Sequence, residues 1–243
     1  MSAIELASTP LVSDANLVAY YKLENVNDSK GSNTLTNHNT ATFAAGKFNN
    51  GVEFGSTNTN KRLSAGNLGI AGNGTIWLHC WAKVETAPTS GNLMAFVSHA
   101  SGLSADRYLI GAYWNVGGTF KVRCGDFTSY VDYTTTLAIG TWYMLDFVRD
   151  NGAGNQYTLY INGSSVGTGV LGTDTDSSNE FNIGDDPPGY GCELSGMVDD
   201  VAVFSRIPTT TEISNLYNGT WGTTFPRTAS VTVSNAAVGW TIH

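Results

Sequence analysis

Apolar and polar residues alternate along most of this chain, and a period of two predicts β-strands. The clearest case is residues 75–84, whose core-type positions are Ile76, Leu78, Cys80, Ala82 and Val84. The intervening positions are Trp77, His79, Trp81 and Lys83. Because both faces carry bulky side chains, we expect this strand to lie in the middle of its sheet.

The same reasoning predicts further strands, bounded by residues that favour turns. They span residues 17–23, 51–55, 93–97, 108–114, 119–124, 130–133, 142–149, 156–162, 180–184 and 196–204. Asn162-Gly163 is a dipeptide that suits a two-residue hairpin turn. The one convincing helix is 210–218, where Thr209 and Glu212 have the spacing of a capping box.

Many short strands without a βαβ rhythm predict an all-β protein, an antiparallel two-sheet β-sandwich (jelly roll) with one short C-terminal helix. We expect a single domain over residues 17–219. An N-terminal arm (1–16) would precede it, and a C-terminal tail (220–243) with strand character of its own would follow. We expect the arm and the tail to contact neighbouring chains, which makes an oligomer the expected state.

The amino-acid composition disfavours some classes of binding partner. Twelve Lys and Arg against 20 Asp and Glu give a formal charge of −8, which disfavours nucleic acid and anionic lipid surfaces. The N-terminus has no signal-peptide pattern, and no apolar run is long enough for a membrane span. Three cysteines, Cys80, Cys124 and Cys192, cannot all pair within one chain, so we expect buried thiols.

Five blocks of sequence carry a family resemblance. They are LVAYYKL (17–23), GTIWLHCWAK (74–83), TWYMLDFVRD (141–150), LYING (159–163) and GMVDDVAVFSR (196–206). In this order they resemble the successive signatures of laminin G-like, concanavalin A-like lectin/glucanase jelly rolls. The resemblance implies a two-sheet fold, often one structural calcium ion, and use as a recognition module on extracellular proteins, enzymes and virus particles.

The catalytic pattern of the glycosidases that share this architecture is missing from the sequence. Those enzymes resemble one another in a Glu-x-Asp-x-x-Glu strand, which supplies the nucleophile and the acid. Here Glu53, Glu85, Glu180 and Glu193 are isolated. His79 alternates with two tryptophans and is more plausible as a packed histidine than as a base. We therefore expect a protein that is not an enzyme.

A structural calcium ion is a hypothesis centred on Asp199. Strict alternation in 196–204 would place Asp199 on one face with Val201 and Val203, and Asp200 on the other. A carboxylate on an apolar face needs a compensating partner, and Ca²⁺ is one. The resemblance implies an aspartate ligand here, with others from loops such as Glu24–Asp28 and 49–51, so the predicted ligands are Asp199, Asp28 and Gly51. Backbone N–H donors or an arginine are the alternative partners of Asp199.

Three stretches are candidates for a ligand surface. Tyr113 and Trp114 form the first, Tyr130 and Tyr133 the second, and both combine rings that stack on sugars with polar neighbours. The third is an acidic loop, Asp185 and Asp186 followed by Pro-Pro-Gly and Tyr190. Each of these aromatic residues has half-buried packing as its alternative role.

Two functions remain open from the sequence. In the first, the protein is a non-catalytic structural component of a larger particle, most plausibly a decoration or attachment protein on a phage virion surface, which can also bind surface glycans. Its partners would then be other virion proteins, reached through the arm and the tail. In the alternative, it is a free-standing, extracellular carbohydrate-binding lectin.

Overall fold

A computed structural model describes residues 13–55, 60–70, 74–88, 92–100, 108–114, 120–125, 130–132, 137–170, 180–186 and 191–219. Most of the predicted arm and the whole predicted tail lie outside these residues. The described chain forms β1 (Leu17–Tyr21), β2 (Thr36–His38), β3 (Thr42–Ala45), β4 (Asn50–Glu53), β5 (Arg62–Ala65), β6 (Ile76–Val84), β7 (Leu93–Ala100), β8 (Tyr108–Trp114), β9 (Phe120–Gly125), β10 (Tyr130–Asp132), β11 (Trp142–Asp150), β12 (Gln156–Ile161), β13 (Ser164–Val170), β14 (Glu180–Ile183), β15 (Gly196–Phe204) and α1 (Thr210–Asn218).

The strands form two antiparallel sheets, as the sequence pattern predicts. Sheet A has the order β13-β12-β11-β6-β15-β4-β3, and β1 pairs with the second half of β15. Sheet B has the order β10-β9-β8-β7-β14-β5-β2. Strand β6 lies between β11 and β15, so its predicted central position is confirmed.

The main core lies between the two sheets. It takes one face of β6, including Ile76, Leu78 and Cys80, and the buried face of β9, including Phe120 and Val122. Lys121 and Arg123 alternate with these buried residues and are partly exposed, so β9 has the one solvated face that its pattern predicts. The three cysteines are buried thiols, also as predicted.

A second apolar cluster covers the outer face of sheet A, where α1 packs. It contains Trp77 and Trp81 from β6 together with Ile213 and Leu216 from α1. The helix has the predicted bounds, and the Thr209–Glu212 capping box is present. The cap fixes where the helix begins, and burial of its apolar stripe holds the helix against the sheet.

Four strands of the structure were not predicted from the sequence pattern. Three of them, β2, β3 and β5, are only three or four residues long, too short for alternation to be recognised. The fourth, β13, follows the Asn162-Gly163 turn, whose residues both have positive φ, at 51° and 82°. That turn agrees with the predicted hairpin.

The predicted faces of Asp199 and Asp200 are wrong. A β-bulge interrupts the pairing of β15 with β6 between Asp199 and Ala202, and Asp200 has a φ of 50°. Asp199 pairs with Trp81, and the Asp200 carboxylate accepts a hydrogen bond from the Tyr20 hydroxyl. Trp81 and Tyr20 both belong to the outer cluster of sheet A. Because a bulge adds one residue, both carboxylates lie on this outer face, whereas Val201 points into the core.

Candidate functional site

The outer face of sheet B carries two of the predicted ligand stretches, but it is exposed only near β10: Asn182 and Ser98 are 0 % exposed, whereas Tyr130 is 50 % exposed. A row of paired residues crosses the sheet from Asn182 through Ser98, Leu109 and Gly125 to Tyr130. Four steps between strands of about 4.8 Å each make this row roughly 19 Å long. The acidic loop begins after β14, which lies inside the sheet between β7 and β5, and Tyr130 lies on the edge strand β10.

At the β10 edge, Tyr130 presents a half-exposed ring. Half of the residue, 50 %, is accessible to solvent. The Arg123 guanidinium lies over this ring, with its central carbon 3.7 Å from the ring centroid. A cation–π contact of this kind orients an aromatic ring that would otherwise rotate in solvent. The pair therefore combines an oriented apolar ring with a group that donates hydrogen bonds.

At the β14 end, Asp185 and Asp186 are buried at 1 % and 0 % exposure. The Asp185 carboxylate accepts a hydrogen bond from the Asp186 N–H at 2.8 Å, and its carbonyl accepts one from the Ser98 hydroxyl at 3.1 Å. Burial, followed by repulsion from Glu193, raises the pKa of Asp185 to about 8. These contacts anchor the start of the loop.

Buried polar side chains lie next to Asp185 on the outer side of sheet B. Asn182 is fully buried, and its amide donates to the Glu180 carbonyl at 3.2 Å. Arg62, which lowers the pKa of Asp185, is 9 % exposed. Within the described residues, Asn182 Oδ1 and Arg62 Nε have no hydrogen-bond partner. Part of the hydrogen-bonding capacity of these two side chains is therefore not used by the described residues.

The remaining predicted ligand residues are less fully defined. The structure describes the backbone of Tyr113 and Trp114 but not their side chains. Tyr113 pairs with Lys121 on the solvated side of β9, whereas Trp114 pairs with the buried Phe120. Tyr133 and Tyr190 lie outside the described residues.

Around Asp199, the turn between β3 and β4 supplies the nearest groups. The Asp199 carboxylate accepts hydrogen bonds from the backbone N–H of Phe48 at 2.8 Å and of Asp200 at 2.7 Å. A Cβ built on Gly46 would lie 2.7 Å from Asp199 Oδ2, and one on Gly51 would lie 3.2 Å from the Asp199 Cβ. Burial is the main cause that raises the pKa of Asp199 to about 8.

Of the two other predicted calcium ligands, Gly51 contacts Asp199, whereas Asp28 organises its own loop. The Asp28 carboxylate accepts from the backbone N–H groups of Tyr20, Lys30 and Asn33. Glu24 is the carboxylate that reaches the turn, with both oxygens 3.3 Å from the Asn50 nitrogen. Among the described residues, no three His, Cys, Asp or Glu side chains are grouped to hold a metal ion.

A further polar cluster lies on the outer face of sheet A. Asp146 Oδ1 accepts from Trp77 Nε1 at 2.8 Å and lies 2.7 Å from His79 Nδ1. Burial alone would lower the pKa of His79, but Asp146 and Asp200 outweigh it and raise that pKa. His79 and Asp146 are 1 % and 0 % exposed. This pair is therefore a buried structural contact, which no substrate can reach.

A protein-family model described as the concanavalin A-like lectin/glucanases superfamily matches residues 54–214. The chain belongs to this superfamily. No curated protein sequence matches the chain. No helix among the described residues is long and apolar enough to cross a membrane.

Solved structures share the fold of this concanavalin A-like domain at low sequence identity. Domain 4 of AbnA, an extracellular arabinanase from Geobacillus stearothermophilus solved in complex with arabinotriose, is 18 % identical with a TM-score of 0.64, and the match covers 83 % of this chain and 98 % of that one. The binding domain of Paraclostridial Mosquitocidal Protein 1 is 15 % identical with a TM-score of 0.62, over 84 % of this chain and 52 % of that one. The binding domain of Botulinum Neurotoxin DC in complex with SialylT is 12 % identical with a TM-score of 0.61, over 85 % and 52 %. The chain thus spans about half the length of the two toxin domains.

One residue of the concanavalin A-like domain, Arg123, was missed by sequence reasoning as a site candidate, although the alternation in β9 places it on the solvated face. Glu24 belongs to the loop Glu24–Asp28 that was expected to supply a calcium ligand, but Asp28 was the residue predicted from that loop. The contact of Glu24 with Asn50 depends on how two loops meet, which local sequence does not encode.

Proposed function

We propose that this domain is a non-catalytic glycan-binding module whose ligand binds at the exposed β10 edge of the outer face of sheet B, on Tyr130. The observation that carries the proposal is the half-exposed Tyr130 ring held under the Arg123 guanidinium. Sugar rings have apolar C–H faces and polar edges, so an oriented ring beside hydrogen-bond donors suits them. The arabinotriose bound to the similar AbnA domain supports the same class of ligand.

A glycan array followed by calorimetry tests this proposal, with arabinotriose as the first oligosaccharide. Tyr130→Ala is expected to weaken binding about 10-fold, the value of one aromatic contact, and Tyr130→Phe should keep most of the affinity. Ile207→Ala is the matched control, because Ile207 is 45 % exposed and follows the last strand of sheet A. If no glycan binds, or if Tyr130→Ala binds as tightly as the native chain, the proposal is wrong.

Within the proposed function, a calcium ion would be structural. The donors that fit it are the Asp199 and Glu24 carboxylates, which both reach the turn at residues 46–51, together with main-chain carbonyls. Ca²⁺ would compensate the buried Asp199 carboxylate without entering a reaction. Adding Ca²⁺ to chelator-treated protein should raise the melting temperature, and Glu24→Gln should reduce that rise.

A role as a component of a larger particle, such as a phage virion surface, remains the second proposal. It is favoured by the anchored base of the arm, since Arg206 Nε donates to Asp14 Oδ2 at 2.6 Å and Ser205 N donates to the Asn16 carbonyl at 2.9 Å. Deleting residues 1–12, which lie before this anchor, should abolish assembly and leave the melting temperature unchanged. Assembly that survives the deletion would remove the arm from this role. Either function suits an extracellular or virion-surface location.

A further inference from the structure

Strand β13 is an unusually open edge of sheet A. Among the described strands it pairs only with β12. Every second residue of an edge strand directs its N–H and C=O away from the sheet, where they can pair with another chain. Four β13 side chains are exposed, and Val170 reaches 58 %.

The other four edge strands of the described sandwich are shorter. Strand β1, which pairs only with β15, has five residues, β3 has four, and β2 and β10 have three each, whereas β13 has seven. Shortness, charge and proline are the usual devices that prevent an edge from pairing. The sequence of β13, SSVGTGV, has no charged residue and no proline. Its bulge near Val166 still leaves a regular run from Gly167 to Val170.

Helix α1 ends close to this edge, and a segment with strand-type alternation follows it in the sequence. Helix α1 packs on the hairpin turn that opens β13, because a Cβ built on Gly163 would lie 2.9 Å from the Tyr217 Cβ. Eight residues separate Gly219 from residues 228–234, TASVTVS, and the nine Cα–Cα steps from Gly219 to Thr228 span roughly 30 Å when extended. In that segment Ala229, Val231 and Val233 alternate with Ser and Thr.

We infer that the β13 edge receives residues 228–234 of a second copy of this chain as an added strand. The two sequences are compatible, because both are uncharged and rich in small, Val and Thr residues that pair well across strands. Four side chains of this edge are exposed in a single copy, and the added strand is assigned to a second copy. A reciprocal exchange of two such segments closes a two-fold dimer. The edge lies beside β10, the strand that carries Tyr130.

Light scattering on the full chain over a range of concentrations tests the inference. We expect a dimer whose dissociation constant rises at least about 10-fold with Val231→Pro, since proline removes a backbone donor from the added strand. Thr168→Lys, which adds a charge to the edge, should have the same effect. Ala237→Pro, in the same tail but outside the segment, is the matched control and should dimerise normally. A dimer unchanged by Val231→Pro and Thr168→Lys would overturn the inference.

Cross-linking identifies which copy provides the strand. A Thr168→Cys chain mixed with a Thr232→Cys chain should form a disulfide-linked heterodimer under mild oxidation, because the native cysteines are buried. If the full chain is monomeric at all concentrations, or if a chain carrying both substitutions links only within itself, the second copy is not the occupant.

Discussion

Asp14 and Arg206 are 192 positions apart in the chain and are joined by a hydrogen bond of 2.6 Å. The same guanidinium donates to both carboxylate oxygens of Glu212, at 3.0 and 2.8 Å. Arg206 therefore links the start of the domain to the first turn of α1. The Arg206 side chain holds both Asp14, near the start of the described chain, and Glu212, in the C-terminal helix.

Arg206→Ala is expected to lower the free energy of unfolding by about 1–3 kcal/mol, the usual value of hydrogen bonds to charged groups. Urea denaturation measures the loss. Asp14→Asn alone should cost less, and the double variant should cost less than the sum of the two, because the residues share one interaction. Strict additivity would show that the two residues do not stabilise each other.

Gly184→Ala should destabilise the fold by about 2–4 kcal/mol through overpacking and a strained backbone. Gly184 has a φ of 87°, and an added Cβ would clash with the Phe54 ring. Gly66→Ala is the control, because nothing lies within 4 Å of its added Cβ. Thermal unfolding of the two variants should differ clearly, and equal melting temperatures would contradict the close approach of Gly184 to Phe54.

The Asp185 carboxyl should make stability fall as the pH rises. Its folded pKa of about 8 is above its ordinary value, so the fold favours the protonated form. The stabilisation is complete below about pH 4, the pKa of an unfolded aspartate, and is lost as the pH rises through about 8. Asp185→Asn should flatten this part of the stability curve, as measured by denaturation at several pH values. A curve with the native slope would count against the burial of this carboxyl.

His79 should add a second decline of stability as the pH rises. Because Asp146 raises the folded pKa of His79, the charged form is stabilised. Its contribution is full below the ordinary histidine pKa of about 6.5 and is lost as the pH rises through the raised value. His79→Gln should remove this decline and leave the one due to Asp185. NMR titration of the imidazole measures the pKa directly, and a value below 6.5 would disprove the ion pair.

Much of the fold could be predicted from sequence because single strands carry their own signal. The alternation in β6 assigns its core face and its central place, and Thr209 with Glu212 marks where α1 begins. The faces of Asp199 and Asp200 could not be predicted, because the bulge arises from pairing with β6 and a one-residue insertion reverses the alternation.

The candidate site was less predictable for a related reason. Tyr130 could be proposed from its residue type, but its contact with Arg123 exists only once β9 and β10 pair. Asp185 and Asp186 were proposed as parts of a recognition loop because of their charge. Both are buried, and the Asp185 carbonyl accepts a hydrogen bond from the Ser98 hydroxyl of β7. Local sequence patterns do not predict long-range pairing of this kind.

Because α1 packs against sheet A, the two outer faces of the sandwich are not equivalent. Both the anchored Asp14 and the end of α1 belong to the sheet A side of the sandwich, and the Tyr130 ring belongs to the opposite side. Whatever holds the molecule by its two ends would therefore leave the Tyr130 surface pointing outward. A chain tethered in this way would always present its Tyr130 side to solvent.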